Sequence, residues 1–462
     1  MTRATILGLL AMAAAACGDE AKTVTPDAPA MMEPEFVTVP DEITADATWT
    51  SDKPYVIPKF THTFVRKGVT LTIQPGTEIR GEKGAVLVIS RGARINAEGT
   101  VDKPIVFTSN QPVGQRTPGY WGGLLVLGNA PINVNVKSTP PSNEALFEAF
   151  SNADGDSGKF GGDDKTDNSG VIKYVRIEFG GFNFVADREF NNLTLCGVGS
   201  GTTVDFVQVH GGADDGIEFF GGTVNVKHIV SSQNEDDGFD TDNGWQGKAQ
   251  FVIVQNIAHR PGVVLEATNG YESDNHGTAA SFEAEPRTLP TVSNVTLIGD
   301  HNFTEQPSFA AVFRRGTGGH YMNHIWLNFP RGIEFRDPQT ETQLIAGNLT
   351  ITNSMLFSND ASATNLPPAQ ATGDIIEASY ITTAGATAAG RADPHNAFGV
   401  DPGMPSAMMS RTQPDWKPMA NAAALTAGAA PPNDGFFDTS ATFAGAIGTV
   451  DWTAGWTKYP QN

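Results

Sequence analysis

The stretch from Val204 to Gly244 constrains this chain most, because within it the sequence repeats itself. Asp214-Asp215-Gly216-Ile217-Glu218-Phe219 returns 22 residues later as Asp236-Asp237-Gly238-Phe239-Asp240-Thr241. The apolar run before each copy returns as well, Phe206-Val207-Gln208-Val209 matching His228-Ile229-Val230-Ser231. A fixed period of about 20 residues marks a solenoid. The short alternating runs read as strands with one face buried. One coil of a parallel β-helix per repeat is the economical reading. Side chains alternate along a strand, so Ile217 and Phe219 are expected to point inward and Glu218 out toward solvent. In the next coil Phe239 and Thr241 point in and Asp240 out. Coils stack about 4.8 Å apart. This places Glu218 over Asp240 and one Asp-Asp-Gly corner over the other.

Other runs fit the same plan. Leu71-Thr72-Ile73-Gln74-Pro75-Gly76-Thr77-Glu78-Ile79 returns 16 residues on as Leu87-Val88-Ile89-Ser90-Arg91-Gly92-Ala93-Arg94-Ile95, so the coils are not uniform. Gly332-Ile333-Glu334-Phe335 repeats Gly216-Ile217-Glu218-Phe219 by type. A long insertion, roughly residues 136–170, is rich in Ser, Asp, Gly and Asn; loops of this length are usually functional or mobile. The chain has 462 residues, and no linker divides its middle into separate cores. A solenoid tolerates that length because each coil packs only on its neighbours. The 50 Gly and 29 Pro suit a fold that turns every few residues. From residue 359 onward Ala, Pro and Thr dominate, and a segment ending in Gly455-Trp456 is expected to cap the last coil, whose bare strand edge would invite aggregation.

The first 17 residues read as a signal peptide. Met1-Thr2-Arg3 is a short positive region and residues 4–16 an apolar one, too short to span a bilayer as a helix. The run Ala14-Ala15-Ala16-Cys17-Gly18 resembles the lipobox of bacterial lipoproteins, with Ala14 where Leu is usual. The resemblance implies that Cys17 becomes a lipidated N-terminus. The absence of Asp after it implies the outer membrane. Residues 18–47, without periodicity, read as a disordered tether. The expected organisation is therefore signal peptide 1–17, tether 18–47, β-helix 48–358 and capping segment 359–462. Cys196 is the only other cysteine, so the mature chain has no internal disulfide; its place after Leu193-Thr194-Leu195 indicates a buried structural thiol.

The runs Leu71 to Ile79, Trp121 to Asn133, Tyr174 to Phe179, Gly216 to Asn225 and Asp451 to Trp456 resemble those of an uncharacterised family of secreted and lipid-anchored proteins of Gram-negative bacterial envelopes. That family is regarded as built on right-handed parallel β-helices. The resemblance covers nearly all of the chain after Trp49. It implies an all-β right-handed solenoid and an envelope location, and it brings no catalytic residues. In the paired-Asp corners Gly216 and Gly238 stand where the family pattern has an acidic residue or Ser.

Net charge is −21, which argues against nucleic acid and against charge-driven docking on anionic lipid. It favours cations and neutral or basic partners. Asp214, Asp215, Glu218, Asp236, Asp237, Asp240 and Asp242 form an acidic ladder in the expected register. Two carboxylates about 4.8 Å apart repel by about 0.9 kcal/mol even in water. Two readings follow: calcium bridges them with its flexible shell of oxygens, or they are solvated turn residues. The insertion offers a weaker echo of a calcium loop from Asp154, but residue 165, at the twelfth position, is Lys. Trp245, among Asn243, Gly244 and Gly247, is either a corner of the core or an exposed platform for a sugar ring.

A polysaccharide enzyme would draw on Asp215 and Asp237, with Arg314 or Arg315 supplying charge. Yet the chain contains neither the Gly-His-Gly nor the Arg-x-Lys motif of polygalacturonase-like enzymes. The nine histidines have no zinc-ligand spacing, and there is no phosphate-cradling glycine loop. The expected function is thus an envelope lipoprotein that binds a glycan or another envelope protein. A calcium-assisted polysaccharide lyase or hydrolase is the alternative. Cofactors other than calcium, and any oligomeric state, are not implied.

Overall fold

The computed structural model describes residues 35–135, 142–150, 152–185, 188–257, 268–301, 308–359 and 375–462. Residues 36–462 form one compact unit. The expected signal peptide, Cys17 and most of the tether lie outside the described residues.

The unit is a right-handed parallel β-helix. Its described strands fall mainly into one ten-stranded and one sixteen-stranded parallel sheet. The ten-stranded sheet takes one short strand from each coil, among them Leu124–Leu127, Leu193–Val198, Ile217–Gly222, Phe239–Asp242, Tyr271–Ser273, Phe309–Phe313 and Arg331–Phe335. The register is the one the 22-residue repeat predicts: Ile217 pairs with Phe239, Glu218 with Asp240 and Phe219 with Thr241. Ile217, Phe219, Phe239 and Thr241 are buried.

The sixteen-stranded sheet carries the other two faces of each coil. Its long strands, from Gly170–Glu178 to Gly319–Leu327, each bend at a residue of positive φ: Tyr174, Phe206, His228, Phe251, Asn294 and Asn323, at 49° to 61°. Left-handed backbone is unusual for bulky residues. Stacking offsets its cost here, because the bend residues lie over one another. Ring centroids are 4.5 Å apart for Tyr174–Phe206, 4.1 Å for Phe206–His228 and 5.1 Å for His228–Phe251.

Strand pairing begins earlier than the sequence suggests. Val37–Thr38 pairs with Tyr55 and Val56, and Glu42–Ile43 with Phe64 and Val65, within the stretch read as tether. Val39 and Ile43 supply enough apolar side chain to join the core. The C-terminal segment also does more than close the end. Leu344 of the helix Pro338–Ala346, together with Ile375 and Ile381, joins the core beside the last strands. Residues 401–462 then run back along the flank of the coils. Side-chain amides of the long strands hold them by imitating backbone. Gln250 donates to the Asp438 carbonyl (3.2 Å) and accepts from its N–H (2.8 Å). Gln208 does the same with Lys458, and Asn323 with Ala429.

The described part of the expected insertion packs against the coils. Phe147, Phe150 and Phe160 lie on the outer face of the ten-stranded sheet against Val88, Leu125, Leu127 and Phe220. Cys196 is buried in this second core, where burial pushes its thiol well up, so it is a packing residue.

The inward and outward assignment makes a measurable prediction. Phe219→Asp puts an unpaired carboxylate into the stacked core and should cost more than about 3 kcal/mol of stability. In metal-free protein, Glu218→Ala should leave the melting temperature unchanged or raise it. Equal losses in thermal melts of the two variants would contradict this packing.

Candidate functional site

Outward residues of the ten-stranded sheet form two rows across the coils. One runs Thr194, Glu218, Asp240, Glu272, Val312, Glu334. The other runs Cys196, Phe220, Asp242 and continues just past the strand ends with Asp274, Arg314 and Arg336. The face is therefore apolar under the insertion, acidic in the middle coils and mixed in charge beyond them.

The Asp-Asp-Gly corners border the acidic part. Gly216 has no room for a side chain: a Cβ there would meet Ser231 Oγ at 2.2 Å and Asn234 Nδ2 at 2.5 Å. This explains the glycine where a larger residue was expected. Five of the seven predicted acidic residues converge. Oxygens of Asp214, Asp215 and Asp236 lie within 4.8 Å of one another, as do those of Asp215, Glu218 and Asp240. Asp215 belongs to both groups.

The other two stand apart. Asp237 turns along the helix axis, its Oδ1 accepting the Asn269 N–H at 2.9 Å. Asp242 sits at the far end of its strand, with Oδ1 accepting the Asn243 N–H at 2.5 Å.

Neither Asp215 nor Asp237 is a solvated turn residue. They are 6% and 4% exposed, and Asp215 Oδ1 accepts the Asp237 N–H at 2.9 Å. Glu218 points outward but is half-buried, and Asn191 Nδ2 donates to it from the preceding coil. The expectation that it faces open solvent fails because the coil above reaches over it.

Burial is the main force on these acids. It raises Asp215 and Glu218 far above the usual carboxylate range, and neighbouring charges add to it: Asp214 and Asp240 on Asp215, Asp240 and Glu148 on Glu218. Burial and then Asp242 push Asp240 up to about 7, against the pull of Arg314. Asp240 Oδ1 is buried with no hydrogen-bond partner among the described residues. An unsatisfied carboxylate oxygen among convergent acids fits a hard cation with an oxygen shell.

Two coils on, the charge is neutralised. Arg314 pairs with Glu272 and, through Nε at 2.8 Å, with Asp274; Arg315 reaches Asp274 at 2.6 Å. Arg336 holds Glu334 at 2.8 Å. Glu272 and Asp274 were missed by the sequence reading. Their signal is Tyr271-Glu272-Ser273-Asp274-Asn275, which repeats Phe239-Asp240-Thr241-Asp242-Asn243 by type.

Trp245 is no sugar platform. Its ring is fully buried, stacks on Phe219 at 4.2 Å and donates its indole N–H to the Val224 carbonyl at 3.1 Å. The insertion brings no calcium loop together among the described side chains: Asp156 pairs with Lys159, and Asp164 caps a turn at Thr166.

Stacked parallel coils with one charged outer sheet define the class as a parallel β-helix protein. The model of the pectate-lyase like β-helix domain family matches residues 41–403, and the chain belongs to that family. No curated protein and no solved structure matches the chain.

The raised carboxyls give a pH dependence with a definite sign. A carboxyl whose pKa is higher folded than unfolded keeps its proton where the unfolded chain has lost it, so stability falls as pH rises across that interval. For Asp240 the interval runs from its ordinary 3.8 to about 7. The share of metal-free stability that Asp240 contributes should therefore be lost from pH 4 to 7. Asp240→Asn should flatten the slope. A wild-type slope of the opposite sign would refute the assignment.

Proposed function

We propose that this protein is a calcium-dependent glycan-binding module of the bacterial cell envelope. The acidic corner holds the cation, and the outer face of the ten-stranded sheet receives the ligand. The observation that carries this reading is the convergence of Asp214, Asp215, Glu218, Asp236 and Asp240 beside a buried carboxylate oxygen without a partner. Calcium suits the set because it accepts six to eight oxygens in a flexible shell, whereas magnesium keeps its water and demands an octahedron. Arg314, Arg315 and Arg336 continue the face and supply donors to a polar polymer. The family match supports a glycan over another class of ligand. Cys17, in its lipobox-like run, supports a lipid anchor in the outer membrane, with the segment after it holding the body clear of the bilayer.

The second reading is a polysaccharide lyase or hydrolase. It is favoured by Asp240, pushed up to about 7, facing Arg314, whose guanidinium is pulled down by burial and by Arg315. A carboxyl that holds its proton near neutrality is suited to general acid catalysis. Incubation with a polysaccharide panel separates the two. New reducing ends or unsaturated products, lost in Asp240→Asn, mean an enzyme; binding without products means a module.

Calcium that binds only the folded protein should stabilise it by about 2.7 kcal/mol at a hundredfold excess over Kd. Melts in chelator and in millimolar calcium should show that gain in wild type and not in the Glu218→Gln/Asp240→Asn double variant. Wild-type melting indifferent to calcium refutes the metal site. For the anchor, Cys17→Ser should move the protein from the membrane to the soluble fraction. Mass spectrometry finding an unmodified Cys17 in membrane-bound wild type would refute lipidation.

A further inference from the structure

Five turns in the first coils share one geometry. In Pro58-Lys59-Phe60-Thr61, Arg66-Lys67-Gly68-Val69, Gln74-Pro75-Gly76-Thr77, Glu82-Lys83-Gly84-Ala85 and Ser90-Arg91-Gly92-Ala93, the fourth N–H donates to the first carbonyl at 2.8–3.2 Å. The third residue always has positive φ: 83°, 83°, 68° and 79° for the four glycines, and 55° for Phe60. A turn of this kind wants glycine at that position. Phe60 takes the strained conformation without the burial that would compensate it, since it is 57% exposed. Strain held by an exposed bulky residue points to use rather than to packing.

Its surroundings say what the use is. Phe182 meets Phe60 edge-on at 6.2 Å and Phe184 at 6.1 Å, and Phe184, 43% exposed, lies 5.8 Å from His62. Gly84 makes room for the Phe60 ring, as a Cβ there would approach its Cδ1 to 2.7 Å. Beside these rings is a groove of about 320 Å³ lined by Asp41, Glu42, Phe60, His62, Phe64 and Arg66. Arg66 lies over the Phe64 ring and pairs with Glu42. An exposed aromatic ring beside a groove lined by two carboxylates and a guanidinium offers a stacking face and hydrogen-bonding groups together.

We propose that this groove is a second ligand site, separate from the acidic face and independent of calcium, that takes one or two rings of a neutral polysaccharide. The C–H face of a pyranose lies on the exposed aromatic rings, and its hydroxyls donate to Asp41 and Glu42 and accept from Arg66. The two carboxylates at the rim, on a chain of net charge −21, repel polyuronates and anionic lipid. Neutral sugar is the ligand whose hydroxyls satisfy both carboxylate and guanidinium without adding charge.

Affinity electrophoresis in chelator tests this, with amylose, hydroxyethylcellulose, galactomannan and arabinoxylan as neutral probes and polygalacturonate as the polyanion. At least one neutral polymer should retard the wild type. Phe60→Gly should weaken that retardation tenfold or more without lowering the melting temperature, because glycine relaxes the turn. Phe60→Trp should retain it, and Phe60→Ala/Phe184→Ala should abolish it. The Glu218→Gln/Asp240→Asn variant, which disables the acidic face, should bind the neutral polymer as wild type does. Absence of retardation by all four neutral polymers overturns the proposal, as does undiminished retardation of Phe60→Gly. Loss only in the acidic-face variant also overturns it and leaves the reading of that face standing.

Discussion

The hydrogen bond that passes from one coil's corner to the next underlies the rest of the structure. Asp215 accepts the N–H of Asp237, Asp237 that of Asn269, and Asn269 that of Phe309, each at 2.9 Å. These corners are buried, and a buried backbone N–H without an acceptor costs about as much as a lost hydrogen bond. A side-chain acceptor at a fixed place in each coil satisfies the donor of the next and locks the register of the strands that follow. A slip of one residue would turn Ile217 and Phe219 outward and Glu218 inward. The acidic face is thus a by-product of the correct register, and its geometry is as firm as the core beneath it.

How much of this was legible from sequence depended on distance along the chain. Glu218 over Asp240 follows from a 22-residue repeat and strand alternation. Glu272 and Asp274 continue the same rows, but their motif returns after 32 residues rather than 22, and a search at fixed period passes over it. Trp245 stood among turn residues, which left a core corner and an exposed platform both open. In fact Gly247 is the space its indole occupies, since a Cβ there would meet Trp245 Nε1 at 2.4 Å. The return of residues 401–462 along the flank leaves no local pattern. The partners of Gln208, Gln250 and Asn323 lie 250, 188 and 106 residues away.

Coverage of the faces explains which surface is left for a ligand. The apolar outer face of the early coils is closed by Phe147, Phe150 and Phe160. The stacked corner at Tyr174, Phe206 and His228 is closed by Trp452 and Trp456 from the returning segment. Both covers bury surface that would otherwise promote association. The middle coils of the ten-stranded sheet carry carboxylates instead, which need no apolar cover. They do need an opposite charge, which Arg314 and Arg315 supply to Glu272 and Asp274.

The identity of the corner residues then bears on function. Asp215, Asp237 and Asn269 perform the same task, accepting one backbone N–H from the next coil. Asn269 shows that an amide oxygen is sufficient for it. A carboxylate in that role is costly when buried, and Asp215 lies among Asp214, Asp236, Glu218 and Asp240 with no arginine paired to it in the described structure. Turn formation does not explain the charge, because Asn forms turns as readily as Asp. The second oxygen of Asp215, which the ladder does not require, is what an amide nitrogen could not supply to a cation. The change from Asp to Asn between the second and third of these corners coincides with the arrival of Arg314 and Arg315. Arg314 and Arg315 pair with Glu272 and Asp274 beside the third corner, while no described arginine pairs with Asp215, the distribution expected if a bound cation completes the first corner and protein side chains complete the third.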